Sequence, residues 1–243
     1  MVKAANRSHL WVSDGTSAGT YALTLGLAGY DVSQITALGN GEAVFSAKES
    51  THGYELWVSN DTKAGTQPVT DINPGSGSSQ PQDITALGNG KALFSANDGT
   101  HGYELWVTDG TAVGTSLVDD IIPGSGRSKP QDITALGNGK ALFSANDGTH
   151  GYELWVTDGT AAGTSLVDDI NPGSGSSNPS DITALGNGKT LFSANDGITR
   201  DAAVGDGRHC GRHLHGRGHQ SDGQFQPHAN HGAWQRRGSV LGH

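Results

Sequence analysis

The stretch DITALGNGKALFSANDGTHGYELWVTDGTAVGTSLVDDIIPGSG, Asp83 to Gly126, decides the fold, because a near copy of it begins at Asp132. Segments 83–131 and 132–180 differ at five positions only: Val113/Ala162, Ile122/Asn171, Arg127/Ser176, Lys129/Asn178 and Gln131/Ser180. Trp57, Trp106 and Trp155 stand 49 residues apart, as do Phe45, Phe94, Phe143 and Phe192. Self-similarity at a fixed period means one supersecondary unit repeated in tandem, not several unrelated domains.

Turn residues divide the unit into four pieces. DITAL (83–87) reads as a short strand closed by GNG, a hairpin signal, and KALFSA (91–96) as its partner. After the polar NDGTHG, the segment YELWVT (103–108) sets Tyr103, Leu105 and Val107 on one face and Glu104, Trp106 and Thr108 on the other. DGTAVG then turns the chain into TSLVDDI (115–121). No segment carries a helical apolar period, so the chain is expected to be all-β, in tandem four-stranded antiparallel units of about 49 residues. Four strands per unit of this length is what a β-propeller blade requires, and ring stacking lets such a unit bury both faces.

The array is expected over residues 1–197: a half unit 1–32, units 33–81, 82–130 and 131–179, and a half unit 180–197. HLWVSDGTSAGTYALTL (9–25) supplies only third and fourth strands, and DITALGNGKTLFSA (181–194) only first and second. The halves are complementary. Two expectations follow, pairing into a composite blade or two cut ends of a longer array, and the second is preferred.

ELWVTDGT, at Glu104–Thr111 and again at Glu153–Thr160, continues into GTSLVDDI and NPGSGSSNP and resembles the bacterial ELWxxDGT, or hyalin-type, repeat family over about residues 9–197. The second unit departs from the pattern at Asn60-Asp61, where Asp-Gly is expected; both pairs suit a tight turn. The resemblance implies a large bacterial surface or secreted protein without established catalytic residues, and hence a non-catalytic scaffold for protein or cell-surface contacts.

Charge is unevenly spread. Residues 1–197 hold nine Lys or Arg against 21 acidic residues, so nucleic acid and anionic membrane are poor partners for this part. No apolar run approaches the ~20 residues that span a bilayer, and the start MVKAANRSHLWVSDGT has no apolar signal core. A single Cys excludes an internal disulfide framework.

Residues 198–243 break the composition, with six Arg, no Lys, seven of the eleven His and the only Cys. Cys210, His213, His215 and His219 have spacings that suit a metal ion. A second explanation is stronger. Read one base out of frame, the codons of Val204 to His209 permit Trp-Val-Thr-Asp-Gly-Thr, and those of Ala229 to Gly242 permit QITALGNGEALFSA, nearly the same as the QITALGNGEAVFSA at 34–47. The expected repeat Trp would fall at Val204. The tail is therefore expected to be a frameshifted continuation of the array, disordered and not a metal centre.

Recurring acids are the remaining chemical candidates. Asp98 with Glu104, and Asp147 with Glu153, are weak Ca2+ candidates, because oxygen-rich loops with Gly suit a hard cation. The bland alternative makes them turn caps and solvated edge carboxylates. Trp57, Trp106 and Trp155 would serve as sugar platforms if exposed, in a glycan- or Ca2+-binding propeller, but ELWV favours packing between blades. An accessory array of a larger secreted enzyme is a third reading. His52, His101 and His150 recur in one loop and read as turn residues. No nucleophile elbow, phosphate loop or dinucleotide fingerprint is present, and residues repeated in every unit do not build one asymmetric active site. No catalysis and no obligatory cofactor are expected.

Overall fold

A computed structural model describes residues 9–23, 31–49 and 51–198, so the expectations for the His-rich tail beyond Ile198 lie outside the described residues. The described chain is all-β. Two strands, β1 (Trp11–Val12) and β2 (Tyr21–Ala22), pair as a hairpin. The first complete unit holds β3 (Val32–Ala37), β4 (Ala43–Glu49), β5 (Gly53–Ser59) and β6 (Gln67–Pro68). The next holds β7 (Gln82–Ala86), β8 (Ala92–Asn97), β9 (Tyr103–Thr108) and β10 (Ser116–Asp119). It is followed by β11 (Gln131–Ala135), β12 (Ala141–Asn146), β13 (Tyr152–Thr157) and β14 (Ser165–Asp168). The last pair is β15 (Ser180–Ala184) and β16 (Thr190–Ser193).

Each complete unit is one four-stranded antiparallel meander in chain order, a blade-like sheet. The two half units remain separate two-stranded sheets and do not combine into a composite blade.

Local chemistry explains the strand ends. In the GNG hairpin Gly88 and Gly90 take φ of 79° and 80°, Leu87 N–H donates to the Lys91 carbonyl at 2.8 Å, and Lys91 N–H to Asn89 Oδ1 at 3.2 Å. The fourth strand stops at Asp119, shorter than the expected 115–121. Ile121 N–H leaves the ladder and donates to Glu104 Oε2 instead.

Successive sheets pack face to face, and strand alternation decides which residue meets which neighbour. Phe94 and Trp106 are direct partners across β8 and β9, their ring centroids 6.4 Å apart. Their face packs on Leu38, Val44, Leu56 and Val58 of the preceding sheet. The opposite face, with Leu93, Leu105 and Val107, packs on Phe143, Ala145 and Trp155 of the following one. Phe45 and Trp57 repeat the arrangement against Leu10 and Leu23. Each core is thus shared between two sheets, which is why one unit cannot bury its apolar surface alone. First strands add a hydrogen bond between sheets: Thr36, Thr85 and Thr134 Oγ1 donate to the carbonyls of Ile84, Ile133 and Ile182 at 2.7, 2.9 and 2.9 Å.

Candidate binding site

The letters of the ELWxxDGT motif have distinct structural jobs. Leu and Trp fill the two sheet interfaces. Glu104 lies on the Trp face, where the small Ala96 directly opposite leaves it room. Its buried carboxylate accepts from Ile121 N–H at 3.2 Å, from Ser128 N–H at 2.8 Å and from the Ser128 hydroxyl. Glu55 does the same with Ile72 and Ser79, and Glu153 with Ile170 and Ser177. One side chain so ties the third strand to the loop that leaves the blade. Burial pushes the Glu104 carboxyl up to about 7 against the pull of the Ser128 bonds, and raises Glu55 as well.

Asp-Gly-Thr is a self-contained turn. Asp109 Oδ1 accepts from the Thr111 hydroxyl at 2.6 Å and from its N–H at 2.9 Å, while Thr111 Oγ1 accepts from Gly114 N–H at 3.0 Å. These bonds hold Asp109 below the usual carboxylate range. Gly110 takes φ of 88°, a left-handed conformation that suits Gly; the first complete unit places Asp61 there at 64°.

The Ca2+ candidates have other partners. Asp98 Oδ1 accepts from Thr100 and His101 N–H, both at 2.8 Å, and Oδ2 meets His101 Nδ1 at 2.6 Å. Asp147 and His150 repeat this arrangement. Partial burial opposes these bonds, yet they hold both aspartates below their ordinary value and raise both histidines. Glu104 and Glu153 are not solvated edge carboxylates but buried staples. Among the described residues no group of three or more His, Cys, Asp or Glu is placed to hold a metal ion.

The platform reading of the tryptophans is corrected too. Trp57 and Trp155 are buried and Trp106 is half-buried; all three stack or tilt against Phe45, Phe143 and Phe94, in the interfaces between sheets. The faces of Trp57 and Trp155 are occupied by the protein itself, and Trp106 keeps part of its surface in solvent.

A different feature recurs and faces solvent. A cleft of about 340 Å³ is lined by Ser33, Gln34, Ser46, Tyr54 and residues Gln80 to Asp83. One unit on, a cleft of about 360 Å³ is lined by Gln82, Asp83, Ser95, Tyr103, Arg127 and residues Lys129 to Gln131. Apart from Arg127, every lining residue of the second cleft stands 49 positions after one in the first, and Gln82 and Asp83 wall both.

The floor is constant: Ser46, Ser95 and Ser144; Tyr54, Tyr103 and Tyr152; Pro81, Pro130 and Pro179. The rim varies: Gln80, Lys129 and Asn178; Ser78, Arg127 and Ser176; Gln82, Gln131 and Ser180. Three of the five differences between the two most similar units therefore fall at this rim. The sequence showed these differences, but as scattered loop changes, because the cleft joins residues from consecutive units.

Backbone strain marks the same place. Among the described residues the non-glycine positions with left-handed φ are Gln34, Asp61, Gln80, Asp83, Lys129, Asp132, Asn178 and Asp181, at 46–64°. All except Asp61 are equivalents of cleft-lining positions. Each costs on the order of 1 kcal/mol, and Gly would avoid the cost. Burial raises the Asp83 carboxyl, opposed by the Asp132 N–H that it accepts. Arg127 lies over the Tyr103 ring, 5.7 Å from its centroid, and the Tyr103 hydroxyl donates to Gln80 Oε1.

Among the described residues no helix is long and apolar enough to cross a membrane. The sequence matches no protein-family model and no curated protein. Among solved structures, a puromycin hydrolase mutant complexed with PGG is similar at 13% identity and a TM-score of 0.40, over 73% of this chain. The chain spans 27% of the length of that structure.

Proposed function

We propose that the chain is a non-catalytic binding scaffold, an ELWxxDGT-type array from a secreted or surface protein that presents a row of clefts to protein or glycan partners. The observation that carries this reading is the recurrence of one cleft on consecutive sheets, with a constant floor and a variable rim. A catalytic centre needs different groups converging on one point, whereas a repeated cleft with varied edges suits contact with an extended partner. The acidic body leaves nucleic acid a poor partner. Surface location rests on the family resemblance alone.

The test has two arms. The full chain is incubated with chromogenic esters, glycosides and peptide amides, and no turnover above buffer is expected. Turnover that disappears in Ser95→Ala or Tyr103→Ala would overturn the reading. Surface labelling of intact source cells with an antibody to the array is expected to be positive; a purely internal signal would remove the surface assignment.

A further inference from the structure

Resting on the scaffold reading, we propose that the row of clefts binds a linear acidic polysaccharide, with a carboxylate or sulfate group of the chain held between Arg127 and Lys129. The lining chemistry selects a hydroxyl-rich ligand. Side-chain hydroxyls, carboxamides and a carboxylate offer donors and acceptors together, and a half-buried tyrosine supplies one aromatic surface.

The strained rim supports the same assignment. Glycine is abundant in this chain, 38 residues in all, yet Gln80, Lys129 and Asn178 occupy left-handed positions immediately before a proline. Strained non-glycine residues of this kind cluster at binding sites and ligand clamps. The two clefts differ mainly in charge. Ser78 and Gln80 give way to Arg127 and Lys129, so a cleft whose one charged lining residue is Asp83 is followed by one in which two cations share the lining with Asp83. Of the three equivalent rim pairs, Ser78/Gln80, Arg127/Lys129 and Ser176/Asn178, one is cationic, so the acid group is anchored at the second cleft while the uncharged side chains of its neighbours meet hydroxyls of the same polymer.

Bulk charge cannot produce this binding. The chain is net −9 and repels polyanions at long range, so attraction has to be local.

The full chain is run in affinity gels that contain polygalacturonate, dextran sulfate, methyl-esterified pectin or poly-L-glutamate. Retardation by polygalacturonate or dextran sulfate, much weaker with the ester, is expected. The double variant Arg127→Ser/Lys129→Asn carries the residues of the next unit, which already fit the fold, and is expected to lose affinity about tenfold. Arg127→Ser alone, at an exposed position, serves if the double variant melts early. No retardation by either acidic polysaccharide, or undiminished retardation of the folded variant, would overturn the proposal. So would equal retardation by poly-L-glutamate, which marks a peptide-binding surface and leaves the scaffold reading standing. Substrate turnover in a cleft is the outcome that removes both.

Discussion

Phe143 and Phe192 occupy the same position of the same strand, one repeat apart, and their surroundings differ. Phe143 is fully buried, between Trp155 of its own sheet and the Leu87, Leu93 and Leu105 face of the preceding one. Phe192 is 38% exposed, and its neighbour Leu191 64%. β16 has β15 on one side, and no described strand lies on the other. Among the described residues, the same side chain is core where a third strand pairs beside it and surface where none does. Burial in this array belongs to the arrangement, not to the residue.

The largest expected effect breaks that comparison directly. Phe143→Ala should destabilise the fold by about 3–5 kcal/mol, whereas Phe192→Ala should cost less than about 1 kcal/mol, because only the first leaves a cavity. Chemical denaturation of both variants checks it; equal costs would mean that the terminal half unit is as well packed as the others.

Next comes the staple, which only complete units possess. Glu104→Ala strands two buried N–H groups and a hydroxyl, and should cost about 2–4 kcal/mol in a denaturant melt. Glu104→Gln separates shape from charge. Since burial raises the folded carboxyl to about 7 from an ordinary 4.5, its contribution is present below about pH 4.5 and disappears as pH rises through about 7. Stability should therefore fall between pH 5 and 8. His101 and His150, raised by their aspartates, act in the same direction, so Glu104→Gln should flatten the profile only in part. A profile unchanged by Glu104→Gln would place the titration elsewhere.

A smaller effect tests the first strands. Thr85 bridges to the next sheet as well as to Asp83, whereas among the described residues Thr183 donates to Asp181 in its own strand alone, at 3.0 Å. Thr85→Val should cost about 1 kcal/mol and Thr183→Val close to nothing in paired melts. Smallest is Asp61→Gly, which relieves a left-handed residue where Gly110 and Gly159 stand in the other units, and should stabilise by about 0.5–1 kcal/mol.

Much of the fold was legible because its signals are local or periodic. GNG marks a hairpin, and Trp57, Trp106 and Trp155 at equal spacing mark equivalent strands. Their packing between sheets followed from alternation. Glu104 was misread as solvated because its partners, Ile121 and Ser128, are 17 and 24 residues away in an irregular loop that no pattern announces. The cleft was missed for a related reason. Its walls come from consecutive units, and its left-handed positions carry Gln, Asp and Lys, the opposite of the glycine signal that turn reading relies on.

The threonine bridges carry one more consequence. Each spans 48 residues to an isoleucine carbonyl, and those isoleucines are themselves 49 residues apart. Excising residues 83–131 would present Ile133 to Thr36 where Ile84 had been, and Phe143 to Leu38 and Val58 in place of Phe94. Unequal recombination between near-identical gene segments can therefore lengthen or shorten the array by whole units without creating a junction the protein has not already solved.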